Sequence, residues 1–473
     1  MTSKNWMLKD TSDLAQWQRE ISDLTTDSFC VLPWIHVSTR TNGDMRVCCV
    51  ANSGGAGTDN STRGVIKNSE GLPTNLGQVP LDQAWNQQYL RDIRTKMIEG
   101  QAPMSCERCY KEESQGMASK RVWETLTWHK KGTDLQSLIA DTTDQGQVAF
   151  QNAKYLDLRL GNTCNLGCVM CSSHDSSYWL RDHEQTYHRF TDSRILDQRR
   201  FSAEKYQHRW WEQGEFWHSL AQQIPHLEHI AFAGGEPLLI KQHRTLLKKI
   251  IAMNRHHHIE LRYITNGTVL DDEILDLWSY FDRVHVTVSM DALDQRLSYI
   301  RYPIDPEVLY KNLSELDRTD SNITVNLAVA VQILNIMHLP DFIKWKVQQH
   351  YKKINHSVNP YSGYEEGGGL MIPNLVWTPT WFNVQALTPE LKAEVEAKFD
   401  EVKDWLRIHH SDSEEFWQQN PYGWSRWQGL LNWMLAQDRS DQLPAFRQYL
   451  AVMDQQRHSD WTKTFPELAL LAK

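Results

Sequence analysis

At 473 residues, with 40% hydrophobic and 23% charged side chains, the chain is long enough for two or three domains with real cores and is composed like an ordinary globular protein. No apolar run approaches the roughly 20 residues of a membrane span, and the opening MTSKNWMLKDTSDLAQWQRE lacks the basic start and apolar stretch of a signal peptide, so a cytoplasmic protein with reduced thiols and no membrane partner is expected. A formal net charge of -9 argues against holding nucleic acid through its phosphates.

In chain order, residues 28–122 come first, rich in Gly, Ser, Asn and Thr around short apolar runs. They carry five of the eight cysteines, Cys30, Cys48, Cys49, Cys106 and Cys109, and read as a small loop-rich module. Over residues 153–380 short apolar runs alternate with longer amphipathic ones, the pattern of βα units on a parallel sheet. Strands are expected at YLDLRL (155–160), HIAFAG (229–234), IELRYIT (259–265), RVHVTVS (283–289), ITVNLAVAV (323–331) and LMIPNLVW (370–377). Between them, PLLIKQHRTLLKKIIAMN and DPEVLYKNLSELDR space apolar residues three and four apart, as helices do. Six such units make an α/β fold of the partial-barrel kind. Residues 387–473 read as a helical C-terminal region, with LTPELKAEVEAKFDEVKDWL and LPAFRQYLAVMDQQR its clearest elements. The 20 tryptophans, many in WW, FW and W-x-x-W settings after residue 209, read as core and helix-packing aromatics.

The stretch GNTCNLGCVMC (161–171) follows the first expected barrel strand, where parallel αβ folds place their chemistry. Its spacing, Cys164-x-x-x-Cys168-x-x-Cys171, lets one loop wrap three corners of a [4Fe-4S] cluster and leaves one iron without a protein ligand. An open iron is a binding site. The alternative is a zinc site completed by His174. After the second strand comes AGGEP (233–237): Gly234 and Gly235 permit close backbone approach to a ligand, and Glu236 offers an acceptor for an ammonium. By itself this motif is equally a strand-ending turn.

Together these residues resemble the radical SAM superfamily, whose cysteine loop follows the first strand of a partial βα barrel. The resemblance implies that Cys164, Cys168 and Cys171 hold the catalytic [4Fe-4S] cluster. It also implies that Gly234, Gly235, Glu236 and Pro237 form the turn contacting the amino group of S-adenosylmethionine (SAM). By the same resemblance, Asn266 in ITNGT and Ser289 and Asp291 in SMDA line its ribose and methionine end, and Arg301 in YIRYP is a candidate for its carboxylate. Met170 stands where the family often has an aromatic residue; its long apolar side chain can still cover adenine. Gln332 or Asn335 could face the nucleoside or be ordinary strand-end polar groups.

The front cysteines form a second set. Cys30 and Cys48 flank a TNGD turn that a hairpin would close, and Cys106 and Cys109 form a C-x-x-C pair. Four such thiolates suit a closed [4Fe-4S], a [2Fe-2S] or a zinc site. The arrangement is similar to the first part of the SPASM and twitch auxiliary-cluster domains, although here it precedes the barrel and the second half of the SPASM cysteine set is absent. Cys49 is surplus and reads as a small buried residue.

The resemblance implies a radical SAM enzyme that cleaves SAM reductively and abstracts hydrogen from a peptide or protein side chain. A small-molecule or nucleotide substrate, and a non-catalytic iron-sulfur or zinc protein that relays electrons, are the alternatives. A flavodoxin or ferredoxin-type reductant is implied. Three remaining features carry bland expectations: NRHHHIE (254–260) a solvated loop, EEGGG (365–369) a loop at the open side, and the run 197–217 a helix inserted between the first two barrel strands.

Overall fold

The computed structural model describes residues 12–51, 64–114, 119–198, 208–319, 322–349, 351–354, 371–409 and 421–472. Eight strands form one sheet: β1 His36–Thr39, β2 Met45–Arg46, β3 Tyr155–Arg159, β4 His229–Ala233, β5 Glu260–Thr265, β6 Val284–Ser289, β7 Ile323–Val331 and β8 Ile372–Leu375. Their order is β2-β1-β3-β4-β5-β6-β7-β8, parallel throughout except for β2, which runs antiparallel to β1 at one edge. The six expected barrel strands all form, each within a residue or two of its expected bounds. β2 and β8 remain edges, so the barrel is open.

One pairing departs from the sequence reading. The front segment adds a strand to the barrel sheet, with His36, Val37 and Ser38 opposite Tyr155, Leu156 and Asp157. The expected TNGD hairpin turns back from there, with Gly43 at φ 88° and Ser38 opposite Arg46. A single hydrophobic core runs from Phe29 through the sheet to the C-terminal helices.

Alternation along the strands decides what the sheet encloses. One set of positions, including Leu156, Leu158, Ile230, Phe232, Leu261, Tyr263, Val286, Val288, Val325 and Leu327, is apolar and buried. The outer helices supply partners: Leu246, Leu247 and Ile250 from Lys241–Ala252, Ile274, Leu277 and Trp278 from Asp272–Ser279, and Leu309, Leu313 and Leu316 from Pro306–Asp317. Two of these helices start at a carboxylate cap, Asp271 accepting from the Ile274 N–H and Asp305 from the Glu307 N–H. The opposite set is polar: Asp157 and Arg159 on β3, Arg262 on β5, His285, Thr287 and Ser289 on β6, Thr324 and Asn326 on β7. A concave face built from these residues makes a polar site rather than a packed core.

Helices Pro389–His409, Pro421–Leu435 and Leu443–Arg457 form the expected C-terminal region. Trp34, Trp85, Trp128, Trp179, Trp278, Trp381 and Trp427 are among the largest fully buried side chains, so much of the tryptophan content is core. The run 197–217 begins at the end of helix Ser193–Gln198 and resumes at Trp210–Glu212 and Gly214–Gln223; residues 199–207 and the EEGGG stretch lie outside the described residues. His257 pairs with Asp282 at 2.7 Å on the exposed turn before β5, as a solvated loop would.

Candidate functional site

The cysteine loop leaves the carboxyl end of β3 and is fastened on three sides. Toward the end of β6, the Gly167 and Val169 N–H groups donate to the carbonyls of Tyr302 and Ile300, at 2.6 and 2.8 Å. Within the loop, Cys164 N–H donates to Ser177 Oγ and Asn162 Nδ2 to the Ser173 carbonyl. From behind, Trp179 Nε1 donates to the Cys168 carbonyl at 2.9 Å, and Tyr449 of the C-terminal helix donates its hydroxyl to the Val169 carbonyl. Arg457 of that helix lies 4.4 Å over the Trp179 ring and 4.6 Å over Tyr302, and pairs with Asp182 at 2.9 Å.

The three thiols converge. Cys168 and Cys171 share a hydrogen bond, which with Arg301 draws the Cys168 pKa below the usual thiol value against the effect of burial. Burial first, and Cys168 second, push Cys164 up to about 12. Asn266 Nδ2 lies 3.9 Å from Cys164 Sγ, and Arg301 Nη1 lies 3.9 Å from Cys168 Sγ. His174 is held elsewhere, its Nδ1 3.1 Å from Thr41 Oγ1 and its ring against His208. Among the described residues no three His, Cys, Asp or Glu side chains meet at the spacing of a single metal ion. A polynuclear cluster, with its thiolates on different corners, fits three converging thiols on one loop.

The AGGEP turn packs directly against the cysteine loop. A Cβ on Gly235 would stand 2.3 Å from the Thr163 carbonyl oxygen, and Gly234 sits at φ 131° against the Gly161 carbonyl. The glycines therefore let this turn press on the backbone of the cysteine loop, where the Gly235 and Glu236 N–H groups donate to the carbonyls of Gly161 and Thr163. Glu236 is 1% exposed. Its carboxylate accepts from the Leu238 N–H, Thr265 Oγ1 and the Asn266 N–H at 3.1, 2.8 and 2.7 Å. It ties the end of β4 to the end of β5, and burial raises its pKa to about 7 despite those donors. Pro237 opens the short turn Pro237–Leu239 that follows.

Asp291, fully buried, pairs through Oδ2 with Arg301 Nε at 2.8 Å and accepts the Ala330 N–H at 2.7 Å. Burial works against the Arg301 charge, but Asp291 and then Cys168 more than offset it and hold its pKa above the usual arginine value. Asn335 accepts the Gln332 N–H and donates to the carbonyls of Asp291 and Ala330, the ordinary strand-end role. Ser289 lines an open cavity of about 170 Å³ on the concave face, together with Arg262, Thr287, Arg301, Ile372 and Asn374. Asp157, Arg159 and Arg262 were not singled out from the sequence, although polar residues at alternate positions of YLDLRL and IELRYIT were the available signal. Tyr449 and Arg457 left none.

The four front cysteines also meet. Cys30, Cys48, Cys106 and Cys109 line one small cavity, with Arg108, Lys120 and Arg121 at its wall. Burial, and then mutual proximity of the thiols, raises Cys109 to about 12. Cys48 rises to about 11 from burial and then the adjacent Cys49. Four thiols around one cavity fit an iron-sulfur cluster. Cys49 is half-buried, and its carbonyl accepts from Arg46 Nη2.

Residues 158–345 match the family described as "Radical SAM superfamily". No curated protein matches the chain. Among solved structures, anSMEcpe with bound AdoMet and Cp18Cys peptide is 16% identical with a TM-score of 0.27, covering 44% of this chain and 54% of that one. Streptococcus suis SuiB bound to S-adenosylmethionine is 11% identical with a TM-score of 0.30, covering 70% and 67%. TYW1 with a lysine-pyruvate adduct bound is 16% identical with a TM-score of 0.22, covering 39% and 57%. The chain thus spans about half the length of the anSMEcpe chain. TM-scores this low carry no weight for function.

Proposed function

We infer, from a chain whose residues 158–345 are a radical SAM domain, that the protein is a radical SAM enzyme with a second iron-sulfur site in its front module. The observation that carries this is the meeting of Cys164, Cys168 and Cys171 on one rim with Asn266, Ser289 and Arg301, from three strand ends. When bound, a [4Fe-4S] cluster and SAM supply one-electron cleavage of the sulfonium to a 5'-deoxyadenosyl radical, which takes hydrogen from a substrate carbon. The chain's own residues do the positioning. Glu236 and Asp291 lock the ends of β4 and β6, Arg301 is held beside Cys168, and the open cavity beneath leaves room for ligands. A fixed geometry of this kind is what a hydrogen abstraction needs from its protein.

Cys30, Cys48, Cys106 and Cys109 hold the auxiliary cluster, [4Fe-4S] or [2Fe-2S], in a twitch-type arrangement. The substrate is a peptide or protein side chain, a reading that comes from the resemblance of the front module. The reductant is a flavodoxin or ferredoxin, and the setting cytoplasmic.

The test is anaerobic reconstitution with iron and sulfide, then SAM and dithionite, with 5'-deoxyadenosine quantified beside a Cys164→Ala, Cys168→Ala, Cys171→Ala variant. Product from the wild type alone supports the reading. No product, together with a cluster EPR signal that SAM does not change, overturns it.

A further inference from the structure

One hairpin of the front module reaches both cysteine sites. Its feet stand in the front cavity: Cys30 lies six residues before β1, Cys48 lies two residues after β2, and Leu32 and Val47 line the cavity beside them. The other two thiols of that cavity, Cys106 and Cys109, come from Met104–Cys106 and Glu107–Ser114, which are remote from the hairpin in sequence. At the tip, the Arg40 N–H donates to the Asp44 carbonyl at 2.8 Å and the Gly43 N–H to the Arg40 carbonyl at 3.0 Å, closing the turn. β2 pairs with β1 over two residues only, so the ladder by itself fixes the returning arm over a short span.

The tip grips the barrel cysteine loop at both of its ends. Where the chain enters the loop, the Arg159 N–H donates to Thr39 Oγ1 at 2.8 Å. Where it leaves, three residues past Cys171, Thr41 Oγ1 donates to the His174 carbonyl at 2.7 Å and lies 3.1 Å from the ring Nδ1 of the same residue. A hydroxyl has one proton, so with the carbonyl taking it the ring nitrogen is the donor in the second contact. Thr39 and Thr41 are 0% and 2% exposed, so water does not replace either hydroxyl when it is removed. Two tryptophans fill the angle between hairpin and loop. Trp210 Nε1 donates to the Thr41 carbonyl at 3.0 Å and its ring covers Gly43, whose added Cβ would stand 2.5 Å away; Trp211 covers Gly161, where the distance would be 2.3 Å. Close packing of this kind passes a shift of the tip to the ends of the loop.

We propose that Thr41 is a positioning residue for the barrel site, and that through it occupancy of the front cysteine site sets the SAM affinity of the barrel site. A centre that joins Cys30 and Cys48 to Cys106 and Cys109 ties both feet of the hairpin to the front helices, and its binding free energy then orders the hairpin as well. With the feet tied, Thr39 and Thr41 hold the two ends of the loop that carries Cys164, Cys168 and Cys171. By linkage the effect runs both ways, so SAM at the barrel tightens the front site's hold on its metal by the same factor. The proposal rests on the radical SAM reading and on a metal centre at the front cysteines.

The experiment is calorimetric titration of the full, anaerobically reconstituted chain with SAM, with iron counted and the EPR spectrum of the barrel cluster recorded for each protein. Cys30→Ala, which empties the front site, and Thr41→Val, which removes only the hydroxyl, are each expected to weaken SAM binding about fivefold to fiftyfold, the usual range of a coupling between sites. Both should keep the barrel EPR signal, and Thr41→Val should keep its full iron. Thr41→Ser retains the hydroxyl and is expected to bind SAM as the wild type does. The Thr41 pair thus tests the link in a chain whose cysteines are all intact. The double variant Cys30→Ala, Thr41→Val should be no weaker than the weaker single one, because both break the same connection. The coupling is overturned if Cys30→Ala loses front iron and binds SAM as the wild type does, if Thr41→Val matches the wild type, if Thr41→Ser is as weak as Thr41→Val, or if the two losses multiply in the double variant. Unchanged iron in Cys30→Ala overturns the front-site premise, and no SAM binding by the wild type overturns the radical SAM premise; each takes the proposal with it by a signature of its own.

Discussion

Replacing Gly235 with alanine puts the AGGEP turn to a quantitative test. The added Cβ would lie 2.3 Å from the Thr163 carbonyl oxygen and 2.7 Å from the carbonyl carbons of Asn162 and Thr163. All three are backbone atoms, so no side chain can swing away. Reaching even 3.0 Å, below which real Cβ contacts essentially never fall, requires a shift of at least 0.7 Å (3.0 minus 2.3). That shift stretches the two hydrogen bonds joining the turn to the cysteine loop, Gly235 N–H to Gly161 and Glu236 N–H to Thr163. Each is worth about 0.5–1.5 kcal/mol net, and overpacking adds about 1–3 kcal/mol, for a total of about 2–6 kcal/mol. The thermal midpoint is expected to fall by roughly 2 to 6 °C. Because the displaced backbone leads into Cys164, SAM affinity and iron retention should fall with it; a displacement near 1 Å at a reacting site costs about a hundredfold in rate. Gly214→Ala, where nothing lies within 4 Å of the added atom, is the control and should match the wild type. A Gly235→Ala protein with wild-type midpoint and SAM affinity would refute the argument that the glycines exist for contact with the cysteine loop.

Glu236 predicts a pH dependence. Its pKa in the fold is about 7 against an ordinary 4.5, so the folded state binds its proton more tightly than the unfolded chain. Stability from this group is present below pH 4.5, is lost as pH rises to 7, and is flat beyond, with an upper bound of about 3 kcal/mol. Urea midpoints of the SAM-free protein from pH 4.5 to 7.5 should show this slope, and Glu236→Gln should remove it; an unchanged slope in the variant contradicts the assignment. Asp291→Asn leaves Arg301 buried beside Cys168 without its carboxylate, at a cost of about 3–5 kcal/mol by denaturant titration. Adding Arg301→Gln should recover part of that loss, because the two side chains act as a pair. Cys30→Ala should lower iron by one cluster's worth per chain while the EPR signal of the barrel cluster survives; unchanged iron would remove Cys30 from the ligand set.

The barrel was legible because its strands are buried on their helix-facing side and bounded by turn residues, as at ITVNLAVAV, where the expected and observed bounds coincide. β1 was not. Its four residues follow Leu32–Ile35 in a loop-rich stretch, and their partner in β3 lies about 120 residues away, a separation that local pattern cannot report. The grouping of Cys164, Cys168 and Cys171 was legible from their spacing on one short loop, whereas Cys30, Cys48, Cys106 and Cys109 are drawn to one cavity from separate segments. Glu236 and Asp291 were found for their positions at strand ends, but their hydrogen-bond partners come from other strands. A sequence shows that such a carboxylate is near the site, and only the fold shows which donors occupy it. The same limit hid Arg457, which reaches the cysteine loop through Trp179 and Tyr302 from the far end of the chain.

That last contact has a consequence for the order in which the protein is made. The front cavity is lined wholly by residues up to Arg121, so its walls exist early in synthesis. The barrel loop is complete in sequence at Cys171, yet Tyr449 reaches Val169 across 280 residues. At about 5–20 residues per second the ribosome needs roughly 15 to 55 s to make that stretch. Throughout that interval the nascent cysteine loop lacks its brace from helix Leu443–Arg457. On the proposed reading, iron is expected at the front site first and at the barrel site only once Tyr449 has been made. A chain released after residue 440 is expected to keep iron at the front and lose it at the barrel; equal iron at both sites would show that the brace comes too late to matter.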